Sequence, residues 1–199
     1  MPRVSTEYLA ARRQQIMDAA ALCFARNGFH ATSMQDVIAE AGLSVGAVYR
    51  YFGSKDELRA AIAEQNIGGI ADELAAVARH QPALAPADAM ARALEIVEPR
   101  LGPDGVAQLA VQIWAEAIRS AELRTFVSAA YERLRDSFVT ITRRARDAGH
   151  VPPAVDADAL GLALFTLMPG YIIQRLITGH PDRATMTAAI RALLGMLRT

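Results

Sequence analysis

The sequence contains little cysteine, few aromatic residues and no excess of either charge. Its single cysteine, Cys23, cannot form an intramolecular disulfide, and no run of basic, apolar and small residues at the amino end resembles a signal peptide. The longest charge-free apolar stretch, residues 159–173, is shorter than the ~20 residues of a spanning helix and contains Pro169. We therefore expect a cytoplasmic protein with no membrane partner.

Motifs of enzymes and metal sites are missing as well. No glycine-rich phosphate loop follows a strand, no His-Glu pair has zinc spacing, and no serine elbow is present. The four histidines stand singly, without a partner at metal-ligand spacing. We expect no catalysis, no cofactor and no metal, and we expect Cys23 to lie in the core as an unreactive thiol.

Apolar residues recur at spacings of three and four along the whole chain, and strand-like alternation is nearly absent. The pattern predicts an all-α fold of about nine helices. They are expected near residues 5–27, 33–41, 44–51, 55–80, 87–98, 105–119, 122–148, 156–177 and 183–197.

The second and third predicted helices are joined by Gly42-Leu43-Ser44. Two short helices joined by such a turn have the geometry of a helix-turn-helix, in which the second helix enters the DNA major groove. Thr32 and Gln35 have the spacing of a capping box, and Ser44 can cap the following helix. The net charge of zero leaves DNA binding open, because an acidic remainder can offset a small basic face.

Polar, aromatic and glycine positions in this segment resemble, in register, the amino-terminal domain of TetR-type regulators of bacteria. The resemblance covers about a third of the chain and is specific, because an ordinary amphipathic bundle has no reason to reproduce it. The agreeing positions are Gly28-Phe29, Thr32-Ser33, Val37-Ile38-Ala39, Ala41-Gly42-Leu43-Ser44, Gly46, Val48-Tyr49, Tyr51-Phe52 and Ser54-Lys55-Asp56-Glu57-Leu58.

The resemblance implies a DNA-contacting set of side chains. Its members are Thr32, Ser33, Gln35, Ser44, Val45, Gly46, Ala47, Tyr49, Arg50, Tyr51 and Lys55. Within this set, Tyr49, Tyr51 and Lys55 are expected to contact phosphates. The hydroxyls of Thr32 and Ser33 are also suited to a phosphate at a helix amino terminus.

Base reading is expected to depend on few of these side chains. Gln35 can pair with adenine, although its capping-box role competes with that use. Arg50 can reach a guanine or a phosphate, and Val45 and Ala47 can contact a thymine methyl. The family often has threonine where this chain has Ala47, so one expected hydrogen bond is absent.

The resemblance also divides the chain into two domains. Residues 1–55 form the helix-turn-helix domain and residues 56–199 a larger helical ligand-binding and dimerisation domain, linked by a long fourth helix near 55–80. The implied pocket contains Met90, Leu94, Trp114, Ile118, Phe126, Tyr131, Phe165 and Met168. Plain core packing is the alternative for each of them. Glu95, Glu98 and Glu116 either attract a cationic ligand or face water.

The last two helices carry more apolar residues than one core-facing stripe requires, which favours a partner helix pair. The expected dimer interface contains Leu160, Leu164, Leu167, Ile172, Leu176, Ile190 and Leu194. The implied function is a homodimeric repressor, released from a palindromic operator by an unknown small-molecule effector. A constitutive DNA-organising or partner-controlled factor with a fully packed second domain, and an enzyme with a vestigial DNA-binding domain, remain alternatives.

Overall fold

The computed structural model describes residues 5–102 and 107–196 and is helical wherever the chain is regular. Its elements, in chain order, are α1 (Thr6–Asn27), α2 (Met34–Ala41), α3 (Val45–Tyr49), α4 (Lys55–Ala78), α5 (Pro86–Val97), a 3-10 turn η1 (Glu98–Leu101), α6 (Ala107–Ala117), α7 (Ala121–Asp147), α8 (Ala157–Thr178) and α9 (Arg183–Gly195). The predicted all-α fold with nine helices is confirmed. The predicted helix start at 105 and helix end at 197 lie outside the described residues.

The capping box of α2 lies one residue later than the sequence pattern predicts. The Ser33 backbone N–H donates to the Asp36 carboxylate at 2.7 Å, and the Asp36 backbone N–H donates to the Ser33 hydroxyl at 3.2 Å. The predicted Thr32-Gln35 box is wrong because the Thr32 hydroxyl points inward, where it donates to the carbonyl oxygens of Cys23 and Gly28. Gln35 is therefore not needed as a cap.

The helix-turn-helix shares its apolar core with the second half of the chain. Phe24 of α1, Val48 of α3 and Leu58 of α4 are buried together, and Ile113 of α6 and Leu123 of α7 belong to the same cluster. A shift of α6 or α7 therefore acts directly on the packing beneath the helix-turn-helix.

Helices α7 and α8 are packed closely at Gly161. A Cβ atom at this position would lie 2.7 Å from the Val139 Cα, nearer than real Cβ atoms approach. The buried Thr142 hydroxyl donates to the Ala157 carbonyl at 2.6 Å at the same crossing. The absence of a side chain at Gly161 permits this close packing.

Helix α8 is long and apolar enough to cross a membrane by length and composition, with a mean hydropathy of 1.5 over its most apolar 18 residues. Only 22% of that stretch is buried within the chain. Leu162, Ile173 and Ile177 are exposed at helical spacing along one side of α8, and Leu193 of α9 is exposed as well. We call these four residues the apolar face.

Candidate DNA interface and ligand cavity

The exposed side of α3 is the candidate DNA-reading surface. Val48 is fully buried beneath it, while Val45 and Tyr49 are 59% and 47% exposed and Gly46 and Arg50 are exposed beside them. The αL conformation of Gly42 ends α2 before the turn to α3. Because α3 is anchored by Val48, its small and polar residues remain free to approach a groove.

Three side chains on this surface have unused hydrogen-bonding groups. The Gln35 amide, the Tyr49 hydroxyl and the Arg50 guanidinium are exposed or partly exposed, and each lacks a hydrogen-bond partner within residues 5–102 and 107–196. Gln35 does not take part in the capping box of α2, because Ser33 and Asp36 form that box. These groups are therefore available to bases and phosphates.

Other members of the predicted set are more constrained. The hydroxyls of Ser33 and Ser44 accept the backbone N–H groups of Asp36 and Ala47, so each serves as an N-cap. The Ser33 hydroxyl also donates its proton to the Asp36 carboxylate at 2.7 Å, whereas the Ser44 hydroxyl can still donate to a phosphate. Ala47 and Tyr51 are half-buried, and Tyr51 packs against the helix-turn-helix core.

Two of the predicted phosphate contacts are corrected by the structure. Thr32 is 1% exposed and its hydroxyl is used inside the protein, so it cannot reach a phosphate. The Lys55 ammonium donates to the carbonyl oxygens of Phe29, His30 and Thr32 at 2.7, 3.3 and 2.8 Å, and it lies 4.5 Å from the centre of the Phe29 ring. The Lys55 side chain thus links the α1–α2 loop to the first turn of α4 by hydrogen bonds.

Replacing Lys55 with alanine is expected to destabilise the protein by about 2 kcal/mol, because an ammonium has three donors and all three bind carbonyls here. The dependence of operator affinity on salt should be unchanged. Chemical unfolding and operator titrations between 50 and 200 mM salt, roughly the range in which phosphate contacts are resolved, measure both effects. A salt slope lowered by about 0.9, with unchanged stability, would instead place Lys55 on a phosphate.

A partly open apolar cavity of about 120 Å³ lies between α4, α6, α7 and α8. Trp114, Tyr131, Phe165 and Met168, all predicted pocket residues, line it. The Tyr131 ring meets the Trp114 and Phe165 rings edge to face, with centroids 6.2 and 5.4 Å apart. The second half of the chain is therefore not fully packed.

The other four predicted pocket residues do not line the cavity. Met90 and Leu94 are 1% and 0% exposed in the core that α5 forms with α8 and α9, so they pack as core residues. Phe126 packs against the helix-turn-helix core. Ile118 is 79% exposed in the turn after α6, because the helix ends one residue earlier.

Helix α4 supplies a cavity wall that the sequence analysis missed. Ile62, Asn66, Ile70 and Leu74 follow one another at spacings of four and line the cavity, and Arg100 of η1 joins them. This spacing indicates that the four residues share one face of α4. The sequence alone does not identify the neighbours of that face.

Three residues predicted for the dimer interface are placed elsewhere. Leu164 and Ile190 are buried in the core of this chain, with 4% and 1% of their surface exposed, and Ile172 lines the cavity. The dimer-interface prediction is wrong for these three residues, because their side chains pack in the interior of the chain itself or line its cavity. Leu160, Leu167, Leu176 and Leu194 are partly buried and remain predictions.

The acidic residues proposed for a cationic ligand are engaged outside the cavity. Glu98 binds Arg175 at 2.8 Å and accepts the Tyr171 hydroxyl, and burial together with Glu98 raises the pKa of Tyr171 to about 12. Glu95 lies 3.1 Å from Arg183, and Glu116 faces His30 on the surface. None of the three carboxylates lines the cavity.

Helix α6 connects the cavity with the α1–α2 loop. Trp114 and Ile113 line the cavity, and on the same helix the Gln112 side chain accepts the Phe29 backbone N–H at 3.2 Å. Glu116 lies 3.7 Å from the His30 imidazole. The α1–α2 loop, which Lys55 links to α4, is therefore also linked to α6 by these two contacts.

The single cysteine lies in the helix-turn-helix core. Cys23 is buried, as predicted, and burial raises the pKa of its thiol above the ordinary value, which keeps the sulfur protonated. Within the described part of the chain, no three His, Cys, Asp or Glu side chains are grouped closely enough to hold a metal ion.

Comparison with known proteins agrees with this arrangement. Residues 16–62 match the amino-terminal domain of bacterial regulatory proteins of the tetR family, and residues 86–199 match the carboxy-terminal domain of BetI-type transcriptional repressors. The chain belongs to the TetR family. It is 34% identical to an HTH-type transcriptional repressor of Mycobacterium tuberculosis over 92% of both chains.

Solved structures show the same TetR-family fold. A transcriptional regulator from Saccharomonospora viridis in complex with choline has a TM-score of 0.77 at 23% identity, covering 94% of this chain and 96% of its own. FadR from Bacillus subtilis in complex with stearoyl-CoA has a TM-score of 0.73 at 16% identity, covering 91% and 96%. These structures share the fold of this chain. Its membership of the TetR family, shown by the two matching family models and by the Mycobacterium tuberculosis relative, makes it a DNA-binding transcriptional regulator and not an enzyme.

Proposed function

We propose that the chain is a cytoplasmic homodimeric repressor that leaves a palindromic operator when a small molecule fills the α4–α6–α7–α8 cavity. The main support for this proposal is that two helices, α4 and α6, contact both the helix-turn-helix region and the cavity. Helix α4 begins under the helix-turn-helix and lines the cavity, and α6 lines the cavity and binds the α1–α2 loop. Residues 1–55 and 56–199 are then functional units that share a core.

The proposed DNA contacts are the members of the predicted set that the surface leaves available. They are Gln35, Ser44, Val45, Gly46, Ala47, Tyr49, Arg50 and Tyr51, without Ser33, whose hydroxyl and backbone N–H both donate to Asp36. Tyr49 positions the protein on the phosphates, and Gln35 and Arg50 read bases. Because few groups reach base edges, the spacing of two half-sites contributes much of the selectivity.

The proposed dimer is supported by the apolar face. Leu162, Ile173 and Ile177 are exposed along one side of α8 and Leu193 is exposed on α9, and a second copy of the chain would remove these aliphatic side chains from water. A twofold dimer places two α3 helices on half-sites about 34 Å apart.

Effector release follows from the shared helices. A ligand that fits only one arrangement of α4 and α6 shifts the population toward that arrangement, and the Gln112 and Lys55 contacts carry the shift to the α1–α2 loop. The cavity favours this reading over a constitutive factor with a fully packed second domain.

Operator binding tests the proposed reading surface. Gln35→Ala and Arg50→Ala are each expected to cost about 1–3 kcal/mol at the preferred base pair and to relax preference there. Tyr49→Phe, which removes only a hydroxyl, should weaken binding about equally at all operators. Affinities are measured on operators that differ at single base pairs. A uniform loss in the Gln35 and Arg50 variants would make both residues positioning contacts.

A further inference from the structure

We propose that the effector is an elongated apolar molecule with a single acidic head, and not a cation. The proposal rests on the proposed function, because it assigns the ligand class of the same cavity. It differs from what the choline complex of the Saccharomonospora viridis regulator would suggest by analogy.

The lining of the cavity excludes a cationic head. Its described residues are aliphatic and aromatic apart from Asn66, the ring polar groups of Trp114 and Tyr131, and Arg100. No described lining residue carries a negative charge, so a buried cation would meet no carboxylate and would face the Arg100 guanidinium.

Aromatic rings alone do not compensate for that missing charge. A cation is attracted to a ring face, and several free faces are needed to enclose it. In this cavity the Tyr131 ring meets the Trp114 ring and the Phe165 ring edge to face. Their mutual packing suits a hydrocarbon body better than an ammonium group.

The shape of the lining indicates an elongated body. The α4 wall runs from Ile62 to Leu74 on one helix face, a distance of about 18 Å at 1.5 Å per residue. A cavity of about 120 Å³ that follows such a wall is narrow. An unbranched chain fits it better than a bulky polycyclic molecule.

Arg100 is the residue that can bind the acidic head of the ligand, at one end of the α4 wall. Its guanidinium donates to the Glu73 carboxylate at 2.5 Å and to the Ile96 carbonyl oxygen, and Glu73 is the neighbour of Leu74 in α4. A guanidinium has five N–H donors, so these two bonds leave donors for a second carboxylate. The head would then lie at the Leu74 end, with the apolar body extending toward Ile62.

Three ligands with the same six-carbon chain test the proposal: hexanoate, 1-hexanol and hexyltrimethylammonium. Their dissociation constants are measured by calorimetry on the full-length protein. Hexanoate is expected to bind about tenfold more tightly than 1-hexanol, because one charge-assisted hydrogen bond is worth about 1.4 kcal/mol or more. Hexyltrimethylammonium is expected not to bind.

Two variants separate the charge of Arg100 from its structural role. Arg100→Gln should abolish the preference for hexanoate over 1-hexanol. Glu73→Gln breaks the same ion pair but keeps the guanidinium, so its preference for hexanoate should persist or increase. Thermal unfolding of both variants confirms that they fold.

The outcomes separate this proposal from the proposed function. Equal or tighter binding of the ammonium compound, an unchanged preference in Arg100→Gln, or no binding of any of the three overturns the ligand class. If hexanoate binds as expected but operator affinity is unchanged, the ligand class is supported and effector release is refuted. If the ammonium compound releases the operator, release stands and the ligand class is wrong.

Discussion

Replacing Gly161 with alanine is expected to destabilise the protein by about 3 kcal/mol, despite the better helix propensity of alanine. The new Cβ would lie 2.7 Å from the Val139 Cα and 2.8 Å from the Thr142 hydroxyl oxygen. Backbone atoms cannot rotate away, so α8 must move off α7, and the Thr142 bond to the Ala157 carbonyl oxygen is then lost. Chemical denaturation of the purified variant measures the change.

Gly68→Ala provides the matched control for this prediction. Gly68 also lies inside a helix, but a Cβ there would meet no atom within 4 Å. The same change should therefore stabilise the protein by about 1 kcal/mol. If both variants shift stability in the same direction, the close packing of α7 on α8 does not determine the cost at Gly161.

The helix-turn-helix could be predicted from sequence because its signals are local. Gly42 ends α2 in the αL conformation, and Ser44 begins α3 by capping the Ala47 backbone N–H. The error in the capping register is also local in origin. Thr32-Gln35 and Ser33-Asp36 both have the required spacing, and only the burial of the Thr32 hydroxyl distinguishes them.

Lys55 shows the limit of a role carried over by resemblance. Its type and position agree with a phosphate contact, and the sequence contains no sign that its three donors are used internally. The carbonyl oxygens that bind it belong to residues more than twenty positions earlier in the chain. Such a contact depends on how the α1–α2 loop folds back on α4, which no local pattern determines.

The second half of the chain was harder to predict because each helix meets several neighbours. The sequence shows the apolar stripes of α8 and α9, but it predicts a dimer interface for Leu164 and Ile190, which belong to the stripe that faces the interior. The exposed residues Leu162 and Leu193 lie within three positions of them. Periodicity identifies a face but not the partner of that face.

The apolar face leads to the second large effect. Ile177→Glu is expected to weaken the proposed dimer at least about a hundredfold and to reduce operator affinity in parallel. Ile177 is 77% exposed in the single chain, so the change should leave its folding intact. Twofold symmetry places the new carboxylate in the interface twice, and each copy must be desolvated there without a partner.

Ile118→Glu is the control, because Ile118 is as exposed as Ile177, at 79%, but lies in the turn after α6 and is not part of α8 or α9. It should remain dimeric and bind the operator as the parent chain does. Sedimentation equilibrium gives the dimer dissociation constant, and titration of a palindrome and of a single half-site gives the DNA affinities. The Ile177 variant should lose its advantage on the palindrome, since one monomer can engage only one half-site. An Ile177 variant that stays dimeric would move the interface to another surface and remove the main support for twofold operator reading.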